Sequence, residues 1–201
     1  MRHHPNTATL RILSMLRNEG CPLAHATQLK TGDRFLDCTC GLGSDAITAA
    51  HIVGPSGRVC ALEASALLAI LVQSGMATYT HRSLDAVTAA MRRVDVEHAD
   101  YALVLPTLPD NSFDVVYFDP MFTSTIDQAN GIDLVRHFAQ RGTPTEEHIQ
   151  HAMRVAQRRV VMKARNPERE LTHLGSTPAR TSRRFGYGII DCTDNTKGTT
   201  P

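Results

Sequence analysis

Neither sign of charge dominates this sequence: 21 Lys and Arg stand against 20 Asp and Glu, a formal net charge of +1. No chain-wide field therefore draws in a polyanion, and such a partner has to be met by a local patch. Long apolar runs are missing too. The longest, residues 66–72, falls far short of the roughly 20 residues that cross a bilayer, and no apolar stretch of an export signal follows the basic start. A disulfide framework is equally absent. The five cysteines, an odd number, stand at 21, 38, 40, 60 and 192, three of them in or beside apolar runs, which fits reduced, buried thiols. Repeats and low-complexity stretches do not occur. These absences point to a cytoplasmic chain without a membrane span.

What is present is 201 residues at 42% apolar content, enough to pack one α/β domain and too few for two with a linker. Leu10, Ile12, Leu13 and Leu16 recur at helical spacing before Gly20, and Pro22 opens a second short helix. Residues 1–30 thus read as a helical lead-in, 31–191 as the domain and 192–201 as a flexible tail. Within the domain, strand-like segments at 34–38, 58–62, 94–98, 113–118 and 159–162 alternate with helix-like ones starting near Ser44, Ser65, Ser83 and Thr145. The helix from Thr145 is expected to run through Gln157, and 185–190 reads as an edge strand. Such alternation builds a mainly parallel sheet with helices on both faces.

The first strand ends on Asp37 and turns through Thr39, Cys40, Gly41 and Gly43 into a helix beginning at Ser44 and Asp45, and Asp37, Thr39, Cys40, Gly41, Gly43 and Asp45 are the candidates to hold a ligand there. Glycines in such a turn let a ligand approach the backbone, where the helix start offers unpaired N–H groups. Read alone, Gly41-x-Gly43-x-x-Ala46 also fits a dinucleotide fingerprint, with an acid about twenty residues later. Asp37 tilts the choice, since its carboxylate suits the ammonium group of S-adenosylmethionine and repels a pyrophosphate. Glu63, ending the second strand, is then expected to accept from the ribose hydroxyls. Asp100, after the third, is placed to meet the adenine amino group.

After the fourth strand comes Asp119-Pro120-Met121-Phe122, at the sheet edge where open α/β folds bind ligands. It resembles the Asp/Asn-Pro-Pro-Tyr/Phe motif of methyltransferases acting on exocyclic or amide nitrogens. The chemistry follows from the residues: an amino group conjugated to a base ring is a poor nucleophile until two acceptors pull it toward tetrahedral geometry. Asp119 and the Pro120 carbonyl supply those acceptors, and Phe122 a face on which the base stacks. No metal is required. His3-His4 and His148-x-x-His151 lack a ligand set at metal spacing.

Together the motifs at 37–46, 113–122 and 159–163 resemble those of the bacterial small-subunit ribosomal RNA guanine-N2 methyltransferases, and more closely a Gram-positive branch whose substrate is unassigned. Met121, where the wider class has proline, makes the likeness specific. The resemblance implies a Rossmann-like class I methyltransferase fold. It also implies donor contacts at Asp37, Gly41, Gly43 and Glu63, an acceptor site at Asp119, and guanine in structured RNA as substrate. The sequence departs from the family at Thr39, where the motif usually has glycine, and after the acceptor motif, with Thr123-Ser124-Thr125 in place of a Pro-His-Lys run; the resemblance also leads to the expectation that a longer N-terminal portion of the relatives is missing.

Residues 154–184 carry eight Arg and one Lys against Glu168 and Glu170. Arg165, Arg169, Arg180, Arg183 and Arg184 are the candidates to hold RNA phosphates. Two other functions fit the donor motif, a small-molecule N-methyltransferase and a non-catalytic nucleotide-binding or NAD-linked module. The basic patch argues against the first, and the acceptor motif against the second.

Overall fold

The computed structural model describes residues 5–120, 143–180 and 185–192; of Asn6 and Arg180 only the backbone is described. Two helices, α1 (Asn6–Leu16) and α2 (Pro22–Thr27), precede a seven-stranded sheet. Strand β1 (Arg34–Asp37) leads to α3 (Ser44–Val53), β2 (Arg58–Glu63) to α4 (Ala66–Thr78) and α5 (Asp85–Met91), and β3 (Val94–His98) to the one-turn α6 (Tyr101–Val104). Then come β4 (Phe113–Phe118), α7 (Glu146–Val155), β5 (Ala156–Ala164), α8 (Pro167–Glu170), β6 (Thr177–Arg180) and β7 (Gly186–Asp191).

The strand order is β3-β2-β1-β4-β5-β7-β6. The first five run parallel, and β7 and β6 are antiparallel to their neighbours. Since β1 pairs with both β2 and β4, the chain reverses direction across the sheet at β1, and a crevice opens there beyond the carboxyl ends of the strands.

Helices cover both faces. Ala8 and Ile12 of α1, Leu23 of α2, Ile47 of α3, Val72 and Met76 of α4 and Met91 of α5 pack on Phe35, Val59, Val115 and Tyr117. On the other face Ile149, Ala152 and Val155 of α7 pack on Leu36, Leu62, Val116 and Phe118. Strands buried on both faces need continuous apolar runs, as the residues of β4 supply. Helix α7 begins with a capping box, in which the Thr145 hydroxyl accepts from the His148 N–H and His148 Nδ1 accepts from the Thr145 N–H. All five cysteines are free and buried. Cys38 and Cys40 sit in opposite core clusters: an extended segment would put residues two apart on one face, and the bend that begins at Cys38 turns them apart.

Three local expectations need correction. The 185–190 segment is internal: β7 lies between β5 and β6, and the edge belongs to β6, whose Pro178 is tolerated there because an edge strand can spare an N–H. Ser83 does not cap α5, which starts after Leu84 without a side-chain cap. Helix α7 ends at Val155 rather than Gln157, because the chain passes directly into β5, shifting register against β4 between Phe113 and Val115. The tail from 193 onward and residues 1–4 lie outside the described residues.

Candidate functional site

Parallel packing brings the ends of β1 to β5 to one edge, and the sequence places a charged residue at each. Asp37 ends β1, Glu63 ends β2, Asp100 follows β3, Asp119 follows β4 and Lys163 lies at the end of β5. Asp37 is 1% exposed; its Oδ1 accepts from the Thr39 N–H at 3.0 Å, and its buried Oδ2 has no partner among the described residues. Burial pushes this carboxyl well above the usual carboxylate range, and Asp45 adds to the effect. A buried acceptor without a donor costs free energy until a donor arrives. An ammonium group fits that need.

The turn after β1 is shaped for close approach. Gly41 and Gly43 both take the left-handed conformation, with φ of 54° and 74°. Among the described residues a side chain on Gly41 would meet only the Thr39 carbonyl, at 3.9 Å, whereas one on Gly43 would run into Met76. Gly43 leaves the first turn of α3 without a side-chain cap. Cys40 turns its side chain into the core and can offer a ligand only its backbone.

Glu63, 6% exposed, fastens this turn to β2: Oε2 accepts from the Gly41 N–H and Oε1 from the Ser65 N–H, both at 2.9 Å. Burial raises its carboxyl, and the two backbone bonds oppose the rise. Each oxygen keeps a second lone pair for a hydroxyl. Asp100 caps α6 by accepting from the Ala102 N–H at 2.9 Å, and the Ala99 N–H donates to the Glu63 carbonyl, so the ends of β2 and β3 are tied together.

Thr39 occupies a position where the family motif has glycine, and the structure gives that side chain work. Its Oγ1 accepts from the Asp119 N–H at 2.6 Å, joining the glycine turn to the acceptor loop. Asp119 is one-third exposed and accepts from the Lys163 ammonium at 2.6 Å. Burial pushes its carboxyl up to about 6, with Lys163 opposing and Asp45 adding to the rise. Pro120 is buried. Met121 and Phe122 lie outside the described residues.

Asp45, a candidate for the donor, is held by two cations. Its carboxylate is bonded to Arg11 of α1 and lies 3.7 Å from Lys163. Burial works against its ionisation, but Lys163 and Arg11 more than offset that and hold the carboxyl below its usual range. Sequence reasoning missed Arg11 and the role of Lys163. For Lys163 the available signal was its place near the end of the strand after β4; it follows Met162, the register partner of Phe118, as Asp119 follows Phe118.

The basic run divides. Arg154 binds Asp110 and carbonyls of the loop before β4, Arg158 pairs with Asp33, Arg159 with Asp191, and Lys163 with Asp119. These cations are taken up by partners within the chain. Arg165 and Arg169 are exposed, Arg165 immediately beyond β5 at the site edge. Arg180 is placed in β6 by its backbone alone, and Arg183 and Arg184 lie outside the described residues. Among the described residues no helix is long and apolar enough to cross a membrane.

The model of a family of SAM-dependent methyltransferases matches residues 6–187. The chain is 40% identical over 188 residues to the uncharacterized protein YpiP of Bacillus subtilis, covering 93% of this chain and 73% of that one. It is 30% identical over 174 residues to ribosomal RNA small subunit methyltransferase J of Halorhodospira halophila, covering 83% of this chain and 62% of the relative. Among solved structures, TrmN of Thermus thermophilus superposes with a TM-score of 0.56 at 16% identity, over 94% of this chain and 52% of that one. A SAM-dependent methyltransferase of Neisseria gonorrhoeae does so with 0.54 at 20% identity, over 90% and 75%. At such identities the structural likeness is one of fold, the Rossmann-like class I arrangement.

Proposed function

Because the chain belongs to the SAM-dependent methyltransferase family, we propose that it methylates an exocyclic amine of a nucleobase in small-subunit ribosomal RNA, with guanine N2 as the target. One observation carries the reading: Asp119, with Pro120 behind it, is fixed by Thr39 and Lys163 beside the turn that binds the donor. The similarity to a small-subunit ribosomal RNA methyltransferase supports RNA as the substrate.

When bound, S-adenosylmethionine supplies a sulfonium methyl open to in-line displacement. Asp37 Oδ2 would accept from the donor's ammonium, the Gly41 turn would leave room for it, Glu63 would accept from ribose hydroxyls, and Asp100 would meet the adenine amino group. Asp119 accepts one N–H of the target amine and the Pro120 carbonyl the other, turning the nitrogen lone pair toward the methyl group. Above about pH 6 the Asp119 carboxylate is ionised and also faces the positive charge that develops on nitrogen. Phe122 supplies the stacking face, and Arg165, Arg169, Arg180, Arg183 and Arg184 meet phosphates. A nucleotide-binding module without catalysis has no use for this acceptor loop.

Incubation of the protein with methyl-labelled donor and unmethylated small-subunit ribosomal RNA tests the proposal. Label is expected in N2-methylguanosine. Unlabelled RNA, with label instead in a small-molecule extract, would favour the metabolite reading.

Two variants examine the subsites. Glu63→Gln puts an amide donor against an N–H of Gly41 or Ser65 and removes the charge that strengthens bonds from the ribose. Donor affinity is expected to fall about ten- to a hundredfold, the worth of a charge-assisted bond. Calorimetry that found parental affinity would leave Glu63 as a fastener of the turn alone. Arg165→Ala with Arg169→Ala is expected to flatten the dependence of RNA affinity on salt, by about 0.7–0.9 in log–log slope for each phosphate no longer neutralised. An unchanged slope would return these two residues to plain solvated surface.

A further inference from the structure

Four ionised side chains from four segments form a line beneath the acceptor edge. The Arg11 guanidinium donates to Asp45, Lys163 Nζ stands 3.7 Å from the other oxygen of Asp45, and the same nitrogen donates to Asp119 Oδ2 at 2.6 Å. Side-chain exposure along the line is 15% for Arg11, 11% for Asp45, 19% for Lys163 and 33% for Asp119. Among the described residues the last is the most exposed of the four. The Phe185 ring lies 5.5 Å from the Lys163 ammonium.

The geometry points to Lys163 as a positioning residue for methyl transfer: it holds the Asp119 carboxylate in place and supplies its counter-charge, and Asp45 and Arg11 hold Lys163 in turn. This inference rests on the role proposed for Asp119. The physical need is plain. Among the described residues, the groups facing Asp119 besides Lys163 on β5 are Asp45 of α3, Asp37 of β1, Tyr117 of β4 and Tyr187 of β7, with Arg11 of α1 behind Asp45. Lys163 is the cation in contact with a carboxyl that burial and Asp45 push up to about 6. With its ammonium removed, that carboxyl takes up a proton near neutrality and presents an O–H where the target amine needs an acceptor. A hydrogen bond at 2.6 Å also fixes the rotamer of Asp119 before the base arrives.

Carbon-13 NMR of the aspartate carboxyls reads this without any RNA, the Asp119 resonance being identified by its loss in Asp119→Asn. In the parent that carboxyl is expected to titrate at about 6. In Lys163→Met and in Lys163→Gln, which keeps a donor and loses the charge, the midpoint is expected to rise by at least about one pH unit. Lys163→Arg is expected to bring it back toward the parent. The acid limb of the methyl-transfer profile on small-subunit ribosomal RNA is expected to move with the NMR midpoint, donor titration confirming that each variant is folded. A midpoint unmoved in both charge-removing variants overturns the inference and leaves the reading of Asp119 intact. Parental transfer by Asp119→Asn, by contrast, overturns that reading and with it the part assigned to Lys163.

Discussion

Asp119→Asn lowers the rate of methyl transfer about a hundred- to a thousandfold, the roughly 3–4 kcal/mol lost when one preorganised hydrogen-bonding group is removed from a transition state. The shape of the side chain survives the change, so the loss is electrostatic. An amide can turn a donor toward the amine, which cannot pair with it, and the positive charge growing on nitrogen loses its partner. Donor affinity is expected to stay at the parental level, because the groups assigned to the donor are Asp37, Gly41 and Glu63, fixed by their own backbone bonds. Single-turnover transfer and donor titration on the same variant separate the two effects. Transfer at the parental rate removes Asp119 from the mechanism, and a collapse of donor binding moves it into the donor pocket.

Asp45→Ala is expected to destabilise the fold by about 3–5 kcal/mol, the cost of breaking a buried ion pair by deleting one partner. Asp45 sits between Arg11 and Lys163, all three largely buried, so its removal leaves Arg11 without its carboxylate and Lys163 with Asp119 alone. Against a total of about 5–15 kcal/mol, that is a large fraction. The pH dependence has a definite sign. The folded carboxyl of Asp45 is held below its usual range, so its contribution is present above the unfolded value near 4 and is lost as pH falls through the folded value. Parent and variant therefore differ at neutral pH and converge in acid. Urea unfolding at pH 7 checks the magnitude, and a loss below about 1 kcal/mol, typical of exposed pairs, would contradict the burial argument.

The difference between these two aspartates marks how far the sequence could be read. The place of Asp119 at the end of β4 was legible because an apolar strand stops there and proline follows, a pattern contained in ten consecutive residues. Asp45 stood equally close to the glycine turn and was expected to serve the donor. Its partners, however, are Arg11, 34 residues upstream, and Lys163 two strands across the sheet, and pairing at that range is set by strand order. The parallel strands announced themselves through runs buried on both faces. Strand β6 did not, being four residues long with a proline at the sheet's edge. The basic run was visible as composition, yet which of its members are spent on Asp33, Asp110, Asp119 and Asp191 could be seen only once those acids had positions. Thr39 was conspicuous as a departure from glycine, and its bond to the Asp119 N–H depends on β1 and β4 lying side by side.

The most direct test of the central claim is mass mapping of small-subunit ribosomal RNA from cells that carry this protein and from cells that lack it. One N2-methylguanosine is expected to disappear on deletion, to return with the parental chain and to stay absent with Asp119→Asn. Identical maps from the two strains would contradict the account.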